Sequence, residues 1–321
     1  MSNKLKENLD ILSRVALLLI LILILAIARP EAFWNYSNIS TVVFQQAPFT
    51  ILMSFGMSLA IITKGIDKSM ASVVVLASML SANFFKGEQY LVGLAVALGV
   101  GAVSGWLNGI LITRVGVAPF IATYGTDFIA LGLAYVVCNG KYVYDFPAPF
   151  RAIANGMLIP MVPNVALITI VIFAVLWFIT RKTIFGRGIY SAGFNFNATL
   201  LSGINAKNTV TIVYIINGVL SAVVGILYMA RLNAADPGIS GSLCLDSIAA
   251  ALIGGTSFGG GKGSVTNAVI GALIIVFIRN GMNIMNISTN WQQTMVGLVI
   301  IFSVFYEKAI ERATARLKQA V

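Results

Sequence analysis

No histidine occurs in this chain, which removes the commonest general base and the commonest metal ligand. Cysteine is almost as rare: Cys138 and Cys244 lie within or beside apolar runs and form no metal-ligand spacing. Neither a zinc site nor a disulfide framework is expected from them. Charge is scarce too, at 10% of the residues, where soluble domains carry about 25%. With 58% of its 321 residues hydrophobic, the chain could not cover an aqueous surface. No polar stretch is long enough to fold separately, so residues 1–321 read as one membrane domain. The net charge of +10 is the kind that collects on cytoplasmic loops of membrane proteins, and nucleic-acid binding is not expected.

One segment invites an enzymatic reading. Leu245 to Ser264, LDSIAAALIGGTSFGGGKGS, sets a glycine-rich loop and one lysine after an apolar run. A phosphate-binding loop needs two glycines with four residues between them, then Lys, then Ser or Thr, whose hydroxyl ligates magnesium. Here Gly263 follows Lys262, and Thr256 stands where the first glycine belongs. The pattern fails at both places. With no histidine and only scattered acids, no catalytic or metal site is expected, and no cofactor on this chain.

Long uncharged runs instead repeat along the whole sequence, each near the ~20 residues that a helix needs to cross hydrocarbon. Ten segments qualify, at roughly 12–29, 42–63, 68–85, 90–113, 116–139, 163–180, 209–230, 244–257, 264–280 and 290–307. The fold class is therefore all-α, a polytopic integral membrane protein with about ten transmembrane helices. Arg29, Pro30 and Glu31 follow the first run in place of a small-residue cleavage site, so it reads as a retained span with an amphipathic lead-in at Leu5 to Leu12. The fifth segment contains Pro119 and Asp127, which suggests a broken or re-entrant helix. With both termini inside, the lysines and arginines divide 15 inside to 6 outside, in keeping with the positive-inside rule. Eight spans would fit these charges as well. A plasma (inner) membrane location follows, multi-pass, with cytoplasmic N- and C-termini.

Two internal patterns bear on architecture. GIDKSMASVVVLASML, from Gly65, resembles CLDSIAAALIGGTSFG, from Cys244, with Asp67 against Asp246. The copies are five spans apart, which would invert one relative to the other, and inverted repeats place a substrate path at their interface. Chance likeness among small-residue helices accounts for the match equally well. Gly101, Gly105 and Gly109 recur every four residues, a spacing that brings helix backbones together.

The sharpest single residue is Asp127, because an ionisable group at the centre of a span is a functional candidate by default. The plainer alternatives are a place near the interface or a local bond to Thr123, one turn earlier. Asn108, Phe120, Thr123, Asp127 and Asn280 are the candidates for a translocation path, although packing is the plainer reading of the asparagines and of Phe120. Asp67 and Asp246 open their helices, where a carboxylate caps unsatisfied N–H groups; they read as structural caps or as path residues. An ion-coupled secondary transporter would use Asp127 as its ion site.

The longest connection, about 181–208, is RKTIFGRGIYSAGFNFNATLLSGINAKN. It holds a short helix, Asn195 to Ser202, and reads either as an ordinary basic loop or as a docking surface for a partner. Within it, FGRGIYSAGFNFNATLLSGIN resembles the cytoplasmic coupling segment of the ribose-type sugar permeases of ATP-binding-cassette importers. TKGIDKSMASVVVLAS, GWLNGILITRVGVAPFIATYGT and LDSIAAALIGGTSFGGGKGS are similar to three further blocks of that family, in the same order, so the likeness runs from about Ser54 to Glu307.

The resemblance implies an importer for a monosaccharide or related small polar solute. It implies a second permease copy (a homodimer or close paralogue), a cytoplasmic ABC ATPase carrying ATP and Mg, and an extracytoplasmic solute-binding protein. It also implies that Gly186, Arg187, Tyr190, Asn195, Ala198, Leu201, Ser202, Gly203 and Ile204 couple the chain to that ATPase. The sequence departs from the family at three places. It has TKGIDKSMAS where the family reads TxGIDLSVGS, it lacks a glutamate before Asp246, and Asp127 stands where an uncharged residue is commoner. A nucleoside or branched-chain amino-acid permease is the nearest competing reading.

Overall fold

The structure, a computed structural model, describes residues 3–238 and 241–319, with side chains from Ile11 to Phe305 within that range. As side chains, Lys4, Lys6, Lys308, Arg312, Arg316, Lys318 and most of the expected lead-in from Leu5 lie outside the described residues. The chain begins with α1 (Asn3–Ala28) and a turn, α2 (Pro30–Phe33). Next, α3 (Tyr36–Ser40), a π-helical stretch at Thr41–Gln46 and α4 (Ala47–Ile62) form one continuous helix. Pro48 sits just after the π stretch; its missing N–H and its ring against the carbonyl four residues earlier widen that turn.

There follow α5 (Met70–Lys86), α6 (Tyr90–Ile110) with a π-helical turn at Leu111–Val115, and α7 (Pro119–Cys138). After β1 (Val143–Tyr144) come α8 (Ala148–Asn155), α9 (Asn164–Lys182), α10 (Ile184–Phe194), α11 (Phe196–Leu201) and α12 (Ala206–Leu232). β2 (Ala234–Ala235), α13 (Leu243–Ile253), α14 (Val265–Ile284) and α15 (Thr289–Gln319) complete the chain.

Each of the ten expected segments coincides with a helix, and helix length alone does not establish how many of the ten cross. Among the described residues, seven helices are long and apolar enough to span a membrane, while α5 and α13 are shorter apolar helices. The expected break in the fifth segment is absent. Pro119 opens α7, where a missing N–H leaves no intrahelical bond unmade, and the helix runs unbroken past Asp127. The long connection is also more ordered than a loop, since α10 and α11 occupy most of it.

The helices pack as two matching sets, α4–α7 and α12–α15. The first helix of each set packs on the second helix of the other, α12 on α5 and α4 on α13. The contacts of α12 with α6 are matched by α4 with α14, those of α5 with α6 by α13 with α14, and those of α5 with α7 by α13 with α15. The central pair, α4 and α12, runs antiparallel: Phe49 stacks on Tyr228 at 4.0 Å, and a Cβ on Gly56 would meet Asn217. Equivalent helices that run in opposite directions make the two sets an inverted pair, with Asp67 leading into α5 and Asp246 in the first turn of α13. The short likeness between their sequences is therefore matched by a repeat in the packing.

The glycine row on α6 lies in the tightest of these contacts. A Cβ on Gly101 would strike Gly218 O, one on Gly105 would strike Tyr214 O, and one on Gly109 would lie 2.8 Å from Thr211 Cα. Backbones this close are possible only where side chains are absent, which is the packing role expected of the spacing.

Loops gather at two opposite ends. At one end Gly261 N donates to Ile62 O (2.8 Å), Lys64 Nζ to Phe194 O (3.2 Å) and Arg114 to Asn208 (3.0 Å). At the other, β1 pairs with β2, Lys86 Nζ donates to Tyr144 O (3.0 Å) and Asn155 to Arg231 O (3.2 Å). Lys64, Arg114 and Lys262 therefore share one end, and Lys86, Lys141, Arg151 and Arg231 the other.

Candidate functional site

The lead into α5 carries three consecutive polar residues, and each finds a partner within the protein. Asp67 is 1% exposed. Its Oδ1 accepts from the backbone N–H of Ser69 (3.1 Å) and from the Ser69 hydroxyl (2.6 Å), a turn just ahead of α5, whose N-cap residue is Ser69 itself, without a side-chain cap bond. Ser69 Oγ accepts in turn from Asn108 Nδ2 (2.9 Å), and Asn108 Oδ1 accepts from Thr126 Oγ1 (2.6 Å). This directed chain ties α5, α6 and α7 together, and every donor in it points toward Asp67.

Asp127 lies beside that chain and belongs to a second group. Its Oδ2 meets Lys68 Nζ at 3.0 Å, and its Oδ1 accepts from the Ser72 hydroxyl. It makes no bond to Thr123, whose hydroxyl donates to Pro119 O (2.9 Å) and Ile66 O (3.1 Å). The Lys68 ammonium is 5.8 Å from the centre of the Tyr124 ring. Tyr124 stacks on Phe120 at 5.4 Å and meets Phe128 edge-on at 4.9 Å, a row of aromatics along the exposed face of α7.

Of the five proposed path residues, Asn108, Thr123 and Asp127 therefore come together with Phe120 on the adjoining face. Asn280 does not. It donates to Asn38 Oδ1 (2.7 Å), joining α14 to α3. Asp246 is also placed differently from a plain cap: its Oδ1 accepts from Arg279 Nη2 at 2.6 Å, an ion pair between α13 and α14. Lys68 and Arg279 are thus both engaged with carboxylates. An open groove of about 430 Å³ between α5, α6 and α7 is lined mainly by Leu76, Val96, Val103, Leu107, Ile129 and Leu133. Walls of that kind leave the hydroxyls of a polar solute unpartnered, so the polar group beside it is the better candidate. Among the described residues, no cluster of acidic, cysteine or histidine side chains could hold a metal ion.

The coupling candidates occupy the end where the glycine-rich loop lies. Asn195 caps α11 by accepting from Ala198 N (3.0 Å), and Gly203, at φ +84°, turns the chain out of it. Arg187, Asn195, Ala198, Leu201, Ser202 and Gly203 lie on the outer surface, where Phe194 and Leu201 are 77% and 90% exposed. The other three hold α10 in place. Gly186 fits under the carbonyls of Ile179 and Thr180, Ile204 packs over Gly188, and Tyr190 Oη donates to Gly263 O (3.1 Å). A Cβ on Gly193 would strike Ile62 O. Thus α10 rests directly on the lead into α5 and on the loop between α13 and α14, and the latter loop's glycines serve that close approach.

Residues 38–304 match the family described as branched-chain amino acid transport system / permease component. The chain belongs to this ABC transporter permease family. This permease is 35% identical over 302 residues to the D-allose transport system permease protein of Escherichia coli, covering 92% of this chain and 91% of the relative. It is 35% identical over 297 residues to the Escherichia coli ribose import permease protein, at 90% and 91% coverage. To the galactose/methyl galactoside import permease protein of Haemophilus influenzae it is 30% identical over 321 residues, at 93% and 95% coverage. No solved structure matches it. Membership makes the chain a multi-pass translocation subunit rather than an enzyme.

Proposed function

We propose that this permease forms the membrane path of an ATP-driven importer for a monosaccharide or closely related polar solute, moved by alternating access. The observation that carries this reading is the likeness to allose, ribose and galactose permeases over nine-tenths of both chains. The complex comprises two permease copies, a cytoplasmic ABC ATPase that binds ATP and Mg, and an extracytoplasmic solute-binding protein. Both termini are cytoplasmic. The ATPase docks on the apolar outer face of α10 and α11, and its closure moves α10. Because α10 is tied to Ile62, Lys64 and Gly263, that motion reaches α5 in one half and α13 and α14 in the other.

An ion-coupled mechanism through Asp127 has less support. A cation site needs a carboxylate with room for the ion, and the Lys68 ammonium already occupies that position at 3.0 Å. The test is uptake of radiolabelled D-allose, D-ribose and D-galactose by proteoliposomes containing the complete complex. Uptake is expected to need internal-face ATP and a sugar-loaded binding protein. Uptake driven by an ion gradient without ATP would overturn the reading.

A further inference from the structure

Two of the departures from the family pattern, Lys68 and Asp127, are bonded to each other. Each alone would place an uncompensated charge inside the membrane domain; together they are electroneutral. Asp127 is on the middle turns of α7, and the pair is only partly covered, with side-chain exposures of 28% and 11%. A charged pair left open at that depth faces a watered path or protein rather than hydrocarbon. Of the three N–H donors of an ammonium, Lys68 spends one on Asp127 and donates to no other side chain or carbonyl among the described residues. Beside it, the Tyr124 ring is 41% exposed and has no hydrogen-bond partner for its hydroxyl among the described residues.

We propose that Lys68, Asp127 and the face of Tyr124 form a solute subsite that recognises adjacent hydroxyls of a neutral sugar. Lys68 donates to one hydroxyl, Asp127 accepts from its neighbour, and the ring covers the sugar's C–H face. Donor and acceptor 3.0 Å apart suit two neighbouring hydroxyls, and an apolar surface with a few convergent polar groups is the usual make-up of a small-molecule site. Since the pair is already neutral, the solute brings no charge. An ionised solute would have to displace one member and leave the other unpaired, which is costly. This subsite rests on the importer reading above and adds to it which residues of this chain touch the solute.

The competing explanation is a purely structural ion pair, and such pairs are often replaced by apolar residues without loss. The test therefore compares the complete complex, reconstituted with saturating sugar-loaded binding protein, with its Lys68→Leu/Asp127→Leu variant. Radiolabelled D-allose, D-ribose and D-galactose serve as probes. The variant is expected to assemble and to keep hydrolysing ATP, while its maximal uptake rate falls by about ten- to a hundredfold, as when hydrogen bonds to charged groups are lost. Uptake at the wild-type rate overturns the subsite and leaves the importer reading standing. Restored uptake in the exchanged Lys68→Asp/Asp127→Lys variant overturns it too, because the pair would survive while the ammonium left Tyr124. Should the apolar variant fail to assemble, Tyr124 decides. Slow uptake in Tyr124→Leu with normal uptake in Tyr124→Phe supports the subsite, and normal uptake in both overturns it. Import of none of the three sugars by the wild-type complex overturns the monosaccharide reading, and the subsite with it.

Discussion

Gly105 sits where α6 and α12 touch backbone to backbone, so an added methyl has nowhere to go. Gly105→Ala would drive its Cβ into Tyr214 O, and overpacking of this kind costs about 1–3 kcal/mol. Gly125 and Gly132 on α7 have nothing within 4 Å of an added Cβ, and alanine there should stabilise the helix by about 0.5–1 kcal/mol. Thermal unfolding of the purified permease in detergent checks the contrast: the midpoint should fall for Gly105→Ala and hold or rise for Gly125→Ala and Gly132→Ala. A second residue-scale expectation concerns Asp246 and Arg279. Removing the guanidinium in Arg279→Met leaves a buried carboxylate unpaired, at a cost of about 3–5 kcal/mol. The Asp246→Leu/Arg279→Met pair should recover most of that loss in the same assay. Equal instability of single and double variants would contradict a simple pairing role. The glycine row was legible in the sequence because a spacing of four reports one face of one helix. The Lys68–Asp127 pair was not, although both residues stood out as departures. They are 59 residues apart, and their meeting depends on how the lead into α5 docks on α7.

At the scale of the element, α10 shows what glycines conceal from a sequence reading. Gly186, Gly188 and Gly193 weigh against a helix in this segment, since glycine disfavours helix by about 1 kcal/mol. In the fold each glycine admits a close neighbour: the end of α9, Thr209 and Ile62 respectively. Packing outweighs propensity here. By contrast α11 was legible from Asn195, whose side chain caps it. The outer face of the pair offers Phe194 and Leu201 to solvent, an arrangement suited to a groove on a partner. Leu201→Glu should therefore weaken co-purification of the ATPase by about tenfold or more, the loss of one buried leucine contact being worth ~1.5–3 kcal/mol. The permease itself should keep its thermal stability, because Leu201 is 90% exposed. Gly203→Val acts differently. At φ +84° a β-branched residue is strained by about 1–2 kcal/mol, which should tilt α11. ATP hydrolysis should then continue with reduced uptake per ATP, and the same uncoupling is expected for Arg187→Ala. Normal coupling in both variants would remove these residues from the docking surface.

For the whole molecule, the inverted sets α4–α7 and α12–α15 bring the starts of α5 and α13 together, where Cys244 Sγ donates to Asp67 O at 3.9 Å. The sequence hinted at this through sixteen weakly similar residues; the packing makes it plain because the contacts of α5 with α6, α7 and α12, and of α6 with α12, each have a counterpart in the other set. Helix count was less legible, since α13 has 11 residues and a run of apolar sequence does not say whether its helix crosses. The grouping of loops at two ends supplies a test that needs no count. Single cysteines at Ser202 and Lys262 mark the end that carries α10 and α11, and cysteines at Lys141 and Asp236 mark the end with β1 and β2. The background needs Cys138→Ser and Cys244→Ala, the only native thiols. An impermeant maleimide added to intact spheroplasts should label positions 141 and 236 and spare 202 and 262 until the membrane is opened. Reversed labelling would invert the orientation proposed here and put α10 and α11 out of reach of a cytoplasmic ATPase. Labelling of 202 and 141 from the same side would contradict the two-ended arrangement itself. Bound ATPase should then protect position 202 and leave 262 the more reactive, because Leu201 and Ser202 lie on the outer face while Lys262 belongs to the loop behind α10.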